Sequence, residues 1–510
     1  MMLPRSEIAE FFDGKSVFIT GATGFLGKAL VEKLLRCCPG VRNIFVLVRP
    51  KRGFEGRSRL ESLFKGPLFD LLRAENPHAL SKVVPISGDI TEPNLGISPE
   101  NDLLLCQQVS VIIHSAATVK FEEPLKNAIK INVEGTKKII ELAKRAKDIK
   151  AVVHVSTAYS NCDKSEIKEI LYPINIEPNN AIQTFEWMSK DLVEIIKPKV
   201  VEGKPNTYTY TKHMAEHLVN QSRDEVPICI VRPSIVAATY EEPIPGWVDN
   251  INGPSGIFVA CGKGVLQSLL CDTEKRLDVI PLDHVVSLIV AAAWYTSKTR
   301  CSQNEMESNE LAIYNCCSGT ENPFYLSRTI PMAQKAFWNT PFDKVLWYPG
   351  PWITTSPIIH YVADIFLHFI PAHLLDLKTK LSGDDYPVKK NHSMVSIYSR
   401  NQANVRALRY FCTHEFDFHI KNVSRLYSKL SPFDKKIFRF DIKEVDWRVY
   451  MQSYIYGLRK YVLKEKDQDI ERAKLHLLKM YRVRLGTQFV SLVLLVSALA
   501  FMVAFVIRVI

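Results

Sequence analysis

The N-terminus lacks a long apolar core: Met1 to Asp13 carries Arg5, Glu7, Glu10 and Asp13, so no secretory signal is expected there. The eleven cysteines contain no CxxC pair, and the adjacent pairs Cys37-Cys38 and Cys316-Cys317 do not match zinc-ligand spacing. They read as reduced, mostly buried thiols in a cytosol-facing protein with no metal site. No motif marks any of them as a nucleophile, which speaks against thioester chemistry of the cysteine-based aldehyde dehydrogenase kind. Internal repeats and low-complexity tracts are missing too. The charge imbalance is modest, 65 basic against 54 acidic residues. It suits an anionic substrate and a membrane surface and does not call for nucleic acid. Charge is also missing from one long stretch near the C-terminus. Leu485 to Ile507 has none, and at ~1.5 Å per residue a helix there is about 35 Å long, enough to cross a bilayer. Arg472, Lys474, Lys479, Arg482 and Arg484 stand before it, the basic flank of a cytoplasmic face. A tail anchor is expected.

What is present is organised around Thr20-Gly21-Ala22-Thr23-Gly24-Phe25-Leu26-Gly27. The apolar run Val17-Phe18-Ile19 enters it, and the helical pattern Ala29, Leu30, Leu34, Leu35 leaves it. Strand, glycine turn and helix open a dinucleotide-binding βαβ unit. Gly21 permits the tight turn, Gly24 lets the backbone approach a pyrophosphate, and Gly27 lets the helix pack close to its strand. Thr23 and Phe25 belong to the same candidate cofactor turn. The second strand, residues 43–48, ends in Arg49 where NAD-binding folds place an acid. An arginine suits a 2′-phosphate, Lys51 and Arg52 add positive charge, and NADPH is the expected cofactor.

Further strands are expected at 82–86, ending in Gly88-Asp89 with Asp89 a partner for the adenine amino group, and at 109–113. The latter ends in His114-Ser115-Ala116-Ala117. Ala116 and Ala117 are small enough to let a cofactor pass over the sheet edge, while His114 reads as a packed strand-end residue. A helix spans 128–146 with Asn132 inside it. The strand 151–155 delivers Ser156-Thr157 to its carboxyl end, the edge where open α/β sheets bind ligands. Asn206 opens a helix to about Arg223, on which Tyr208 and Lys212, four apart, share a face. A neighbouring ammonium is expected to lower the phenol pKa and let Tyr208 exchange a proton with a substrate oxygen held by Ser156 or Thr157. The same YxxxK spacing recurs at Tyr386/Lys390 and Tyr456/Lys460, without a glycine motif or a hydroxyl-bearing strand end upstream. A sixth strand, 228–231, leads to Arg232-Pro233-Ser234, with Pro233 and Ser234 candidate cofactor neighbours. Gln303 to Asn309 looks like an exposed polar insert. Ile353 to Leu375 is strongly apolar but holds His360, Asp364, His368 and His373. It is read as an amphipathic, core or membrane-surface segment and not as a second span.

Taken together, TGATGFLGK (20–28), VLVRP (46–50), AATVKF (116–121), HVSTAY (154–159), NTYTYTK (206–212), VRPSIV (231–236) and PGWVDNINGPSG (245–256) resemble the fatty acyl-CoA reductases over most of the chain. The last segment is the most specific, because generic short-chain reductases lack it. The resemblance implies a Rossmann-type doubly wound parallel sheet of the extended short-chain reductase kind, followed by a smaller helical domain. It implies four-electron reduction of a long-chain fatty acyl-CoA to a primary alcohol with two NADPH, and a peroxisomal membrane in preference to the endoplasmic reticulum. Tyr208 and Lys212 would form the catalytic pair, with Thr157 a better third member than Ser156. The sequence departs from the pattern at Lys212-His213-Met214-Ala215, where a small residue and Leu are usual, and in a tail shorter than in vertebrate peroxisomal members.

The expected organisation is an NADPH-binding domain at 1–340, a helical domain at 341–465, a basic juxtamembrane segment at 466–484 and a transmembrane helix at 485–507. The nucleotide motif and the Tyr208/Lys212 pair would serve a membrane-bound extended short-chain dehydrogenase acting on a sterol or sugar nucleotide equally well. Against that stand the 245–256 segment and the helical C-terminal region. A membrane scaffold with a vestigial fold is opposed by the intact Tyr208/Lys212 pair.

Overall fold

The computed structural model describes residues 5–50, 56–301, 310–381 and 393–509. Lys51, Arg52, the insert 303–309 and the Tyr386/Lys390 pair lie outside the described residues. Two compact units are present. One combines Met1–Trp247, Arg276–Phe324 and His414–Asp446; the other combines Val248–Lys275, Tyr325–Thr413 and Trp447–Ile510.

The first unit is built on seven parallel strands: β1 (Ser16–Thr20), β2 (Asn43–Val48), β3 (Val83–Ser87), β4 (Val109–His114), β5 (Ala151–Val155), β6 (Ile228–Pro233) and β7 (Ala312–Cys316). Their spatial order is β3-β2-β1-β4-β5-β6-β7. Five of them, β1, β2, β4, β5 and β6, are runs of β-branched and apolar residues buried almost throughout, as expected of strands covered on both faces. The helix α1 (Phe25–Cys37) follows β1, α2 (Gly135–Arg145) precedes β5, α3 (Thr207–Gln221) precedes β6, and α4 (Leu282–Cys301) precedes β7. Helices α1 and α4 pack together, as do α2 and α3. The strand order reverses between β1 and β4, which opens a crevice at their carboxyl ends. Register puts Thr20 beside His114 and His114 beside His154, a polar row just beneath that edge.

Two differences from the sequence pattern have identifiable causes. The single helix expected over 128–146 is a short α turn, Leu125–Ala128, a π turn, Ile129–Glu134, and then α2. Inside the π turn, Asn132 exchanges hydrogen bonds with the backbone of Thr118 and donates to Thr211 Oγ1 at 2.9 Å. A wide turn at such a site is a common way of aiming one side chain. The strand β7 and its support come from later chain: Asn422 donates to the Ile313 carbonyl at 2.9 Å, and Asp417–Phe418 pairs with Glu166–Ile167.

The second unit is mainly helical. It contains a long apolar helix, Pro357–Leu381, and the 40-residue helix Ile470–Val509. Both are long and apolar enough to cross a membrane: an 18-residue stretch within Pro357–Leu381 has mean hydropathy 1.5, and one within Asp467–Arg508 has 2.9.

Candidate active site

The crevice between β1 and β4 is shaped for a close-lying ligand. Gly21 has φ +76°, and a Cβ there would lie 2.8 Å from the Ala116 backbone nitrogen and 2.9 Å from Ser115 Oγ. A Cβ on Gly27 would sit 2.2 Å from the Gly21 carbonyl oxygen, so only glycine lets α1 start this close to the turn. Gly24 caps α1 without a side-chain hydrogen bond, leaving the first N–H groups of a 13-residue helix for an anion. Thr23 lies in the same turn. Phe25 stacks on Trp247 with ring centroids 5.4 Å apart, which steadies the first turn of α1. The Ala116 N–H donates to Thr20 Oγ1 at 3.3 Å, and Ala117 follows it at the strand end. These features fit a pyrophosphate.

Arg49 stands exposed just past β2. Asp89 is half-buried after β3, its carboxylate accepting from Thr91 N and Oγ1, both at 2.9 Å. Ser234 follows β6 and its N–H donates to the Cys316 carbonyl at 3.0 Å; the carbonyl of Pro233 accepts from Thr157 Oγ1 at 3.4 Å.

Thr157, Tyr208 and Lys212 come together at the carboxyl end of β5. Asn206 caps α3 by accepting from Thr209 N at 2.9 Å, which fixes where the helix starts and hence which face carries Tyr208. The Thr157 hydroxyl stands within hydrogen-bonding influence of the phenol. Lys212 is buried and donates to the Val155 carbonyl at 2.6 Å, two residues before Thr157. The expected lowering of the Tyr208 pKa is corrected here. Burial pushes the phenol up to about 12, and Thr157 offsets this only in part. A phenol that keeps its proton at neutral pH suits a proton donor. Burial brings Lys212 down to about 8, with Glu216 opposing the shift. Burial and then the Lys212 charge lower His114 to about 3. His114 is held between Thr20 Oγ1 (2.7 Å) and Thr136 Oγ1 (3.1 Å), which makes it a packed neutral residue.

Ser156 points elsewhere. Its hydroxyl donates to Glu216 Oε1 at 2.6 Å. Glu216 also accepts from Ser160 Oγ (3.1 Å) and from Arg232 Nε and Nη2 (2.8 and 2.7 Å). Both members of this ion pair are fully buried. Burial alone would raise the Glu216 carboxyl, but the Arg232 guanidinium outweighs it and holds the group below its ordinary value. Sequence reasoning missed Glu216, although Tyr208, Lys212 and Glu216 are spaced four and four apart, a stripe along one helix face.

The alternative pair Tyr456/Lys460 does touch, Lys460 Nζ donating to the phenol oxygen at 3.2 Å, but it is exposed and the phenol is also bonded to Asp467. No group of His, Cys, Asp and Glu suited to a metal ion occurs among the described residues.

Two family models, one NAD-binding and one named Sterile, both described as "Male sterility protein", match residues 19–289 and 367–465. Fatty acyl-CoA reductase 1 of Rattus norvegicus is 39% identical over 96% of this chain and 92% of its own length. The chain belongs to the fatty acyl-CoA reductase family. Fatty acyl-CoA reductase 1 of Xenopus laevis is 38% identical over the same shares, and fatty acyl-CoA reductase 2 of Mus musculus 37% identical over 94% and 90%. Two solved structures share the fold. The terminal R domain of the myxalamid PKS-NRPS pathway has a TM-score of 0.57 at 20% identity, covering 89% of this chain and 92% of its own. The reductase domain of a nonribosomal peptide synthetase from Mycobacterium tuberculosis has 0.56 at 18%, covering 91% and 94%. As a member of this reductase family the protein is an oxidoreductase using a nicotinamide cofactor, and the β1/β4 crevice is where its residues fit one.

Proposed function

We propose that this protein reduces long-chain fatty acyl-CoA to the primary alcohol, releasing CoA and consuming two NADPH. The observation that carries the reading is the Thr157–Tyr208–Lys212 group at the end of β5, on the carboxyl edge that carries the glycine crevice. Gly21, Gly24, Gly27, Ala116 and the start of α1 would hold the dinucleotide, with Thr23, Phe25, Ala117, Asp89, Pro233 and Ser234 around it. When bound, the cofactor supplies hydride to the acyl carbon in each of two rounds. Thr157 orients the acyl oxygen, and Tyr208 gives it a proton as negative charge develops. Lys212, held by the Val155 carbonyl, supplies a fixed positive charge at the same end of β5. As the C–S bond breaks and C=O re-forms, the hemithioacetal O–H returns its proton to Tyr208 and CoA leaves as thiolate, so the aldehyde oxygen then meets the same donor with its proton restored. The test is to incubate the purified protein with NADPH and a panel of acyl-CoAs and to identify products: fatty alcohol with stoichiometric free CoA is expected, and no turnover of any acyl-CoA removes the reading.

NADPH preference rests on Arg49. Loss of one charge-assisted contact to the 2′-phosphate is worth ~1.5 kcal/mol or more, about tenfold in affinity. Arg49→Ala is therefore expected to raise the Kd for NADPH about tenfold and leave that for NADH nearly unchanged, measured by fluorescence titration. Equal losses for both cofactors would mean that Arg49 only supports the fold.

The apolar C-terminal helix anchors the protein in the peroxisomal membrane with the catalytic unit in the cytosol, on the side of the basic residues Arg472 to Arg484. A chain stopped at Tyr481 keeps every proposed catalytic residue. It is expected to lose the bilayer-spanning segment and still reduce dispersed acyl-CoA. Protease added to intact organelles is expected to digest the catalytic unit; protection until detergent is added would invert the topology.

A further inference from the structure

The helix Pro357–Leu381 is inside out for a water-soluble surface. His360, Asp364 and His368 recur every four residues, buried Ala372 continues the row and Asp376 follows it, and this row faces the protein. Ser268 Oγ is 2.8 Å from His360 Nδ1, and His368 Nδ1 is 2.8 Å from Asp364 Oδ1. His368 Nε2 accepts from the Gln267 N–H at 2.7 Å, Tyr398 and Gln402 donate to Asp364, and Asp376 accepts from the Met394 N–H at 2.7 Å. In a regular α-helix a strict four-residue repeat drifts by about 40° per step; the π turn Ile365–Phe369 widens the helix midway and sets back part of that drift. The opposite face stays apolar apart from exposed His373, whose ring packs against Phe369 with centroids 4.5 Å apart. Ile358, Tyr361, Phe366, Phe369 and Leu374 all project outward, Ile358 at 77% and Phe366 at 64% exposure. No Lys, Arg or Glu occurs from Pro357 to Leu375. A patch this continuous on a protein surface marks an interaction site.

The preceding chain identifies the occupant. Asp343 accepts an ion-paired hydrogen bond from Arg472 at 2.8 Å, and the Val345 carbonyl lies 2.9 Å from His476 Nε2. The Tyr348 and Tyr481 rings meet at a tilt with centroids 5.2 Å apart, and Arg484 lies over the Tyr348 ring at 5.3 Å. Residues 343–350 thus run alongside the tail helix and reach the level of its last charge before the uncharged stretch. Gly350 is seven residues before Pro357, at most about 25 Å of extended chain. Exposed Trp352 lies between them, the residue type that prefers the bilayer interface. The apolar helix therefore starts close to where the tail enters lipid.

We propose that Pro357–Leu381 lies in the plane of the membrane, its apolar face sunk about 5–10 Å into the headgroup–acyl boundary of the bilayer that the tail helix crosses. The inward polar face is already bonded to the protein, so the helix is a monotopic dock and not a second span. This rests on the tail-anchor reading above, and the experiment separates the two. The full chain is reconstituted in phosphatidylcholine–phosphatidylserine vesicles with phospholipids carrying a photoactivatable diazirine either beside the headgroup or at the acyl terminus, and adducts are mapped by mass spectrometry. The shallow probe is expected to label 358–375 and the deep probe only 485–507. Phe366→Glu with Phe369→Glu is expected to lose the 358–375 adducts and keep those at 485–507. Deep labelling in the middle of 357–381 would make it a span, and no labelling there beside normal labelling of 485–507 would mean that something other than lipid covers the face; either overturns the proposal. Absence of adducts at 485–507 would overturn the tail anchor itself.

Discussion

Replacing Tyr208 by Phe is expected to slow both reductions by about 10²–10⁴-fold, the range for loss of a positioned proton donor. Phe keeps the ring packed 6.0 Å from Phe121 and removes only the hydroxyl, so cofactor affinity and thermal stability should change little. Lys212→Ala should fall in the same range, whereas Tyr456→Phe, at the exposed Tyr456/Lys460 pair, should behave as wild type. The pH profile carries a second sign of the same arrangement. Burial lowers Lys212 to about 8, so its positive charge is present at neutral pH and lost as pH rises through that value. kcat/KM, which reports the free enzyme, is expected to fall on the alkaline side of about pH 8. Tyr208, pushed up to about 12, keeps its proton throughout that range and cannot account for the limb. Near-normal alcohol formation by the Tyr208→Phe variant would remove Tyr208 from the mechanism.

Glu216→Gln is expected to destabilise the protein by about 3–5 kcal/mol, because it leaves Arg232 charged and uncompensated in a fully buried site. Against a total of ~5–15 kcal/mol for a typical domain, that is enough to lower Tm by many degrees in a detergent-solubilised thermal scan. The pair Glu216→Leu with Arg232→Met should recover most of the loss, since no buried charge is then left alone. The carboxyl of Glu216 sits below its unfolded value. Its contribution is therefore present above the ordinary carboxylate range and disappears as pH falls through the folded-state value. A loss under about 1 kcal/mol in Glu216→Gln would show that water reaches the pair.

The sheet and its crevice were legible because glycine turns and buried parallel strands leave strong local marks. Val17-Phe18-Ile19 before Gly21, and the run 151–155, apolar but for His154, before Thr157, predict strands that the structure contains. The candidate site was legible in its residue types and less so in its energetics. Spacing alone places Tyr208 and Lys212 on one face, but it does not show that the ammonium is turned to the Val155 carbonyl or that burial dominates the phenol. The preference for Thr157 over Ser156 has its physical reason in Glu216, a long-range partner 60 residues from Ser156. Strand β7 and its support from Asn422 escaped for the same cause: the contact joins residues 109 apart in the chain, and no local pattern announces it. The apolar stretch 353–375 was ambiguous because its histidines and Asp364 break a hydrophobic run. Only the inward hydrogen bonds of His360, Asp364 and His368 show which side faces out.

The most direct test of the central claim follows hydrogen itself. The purified full-length protein is incubated with a long-chain acyl-CoA and NADPH carrying deuterium at the transferred position of the nicotinamide. Free thiol, oxidised cofactor and the product's isotope content are then measured together. The account predicts a primary alcohol with two deuterium atoms on C1, one CoA released and two NADPH oxidised per alcohol. An aldehyde with a single deuterium as the end product, or oxidation of NADPH without release of CoA, would contradict it.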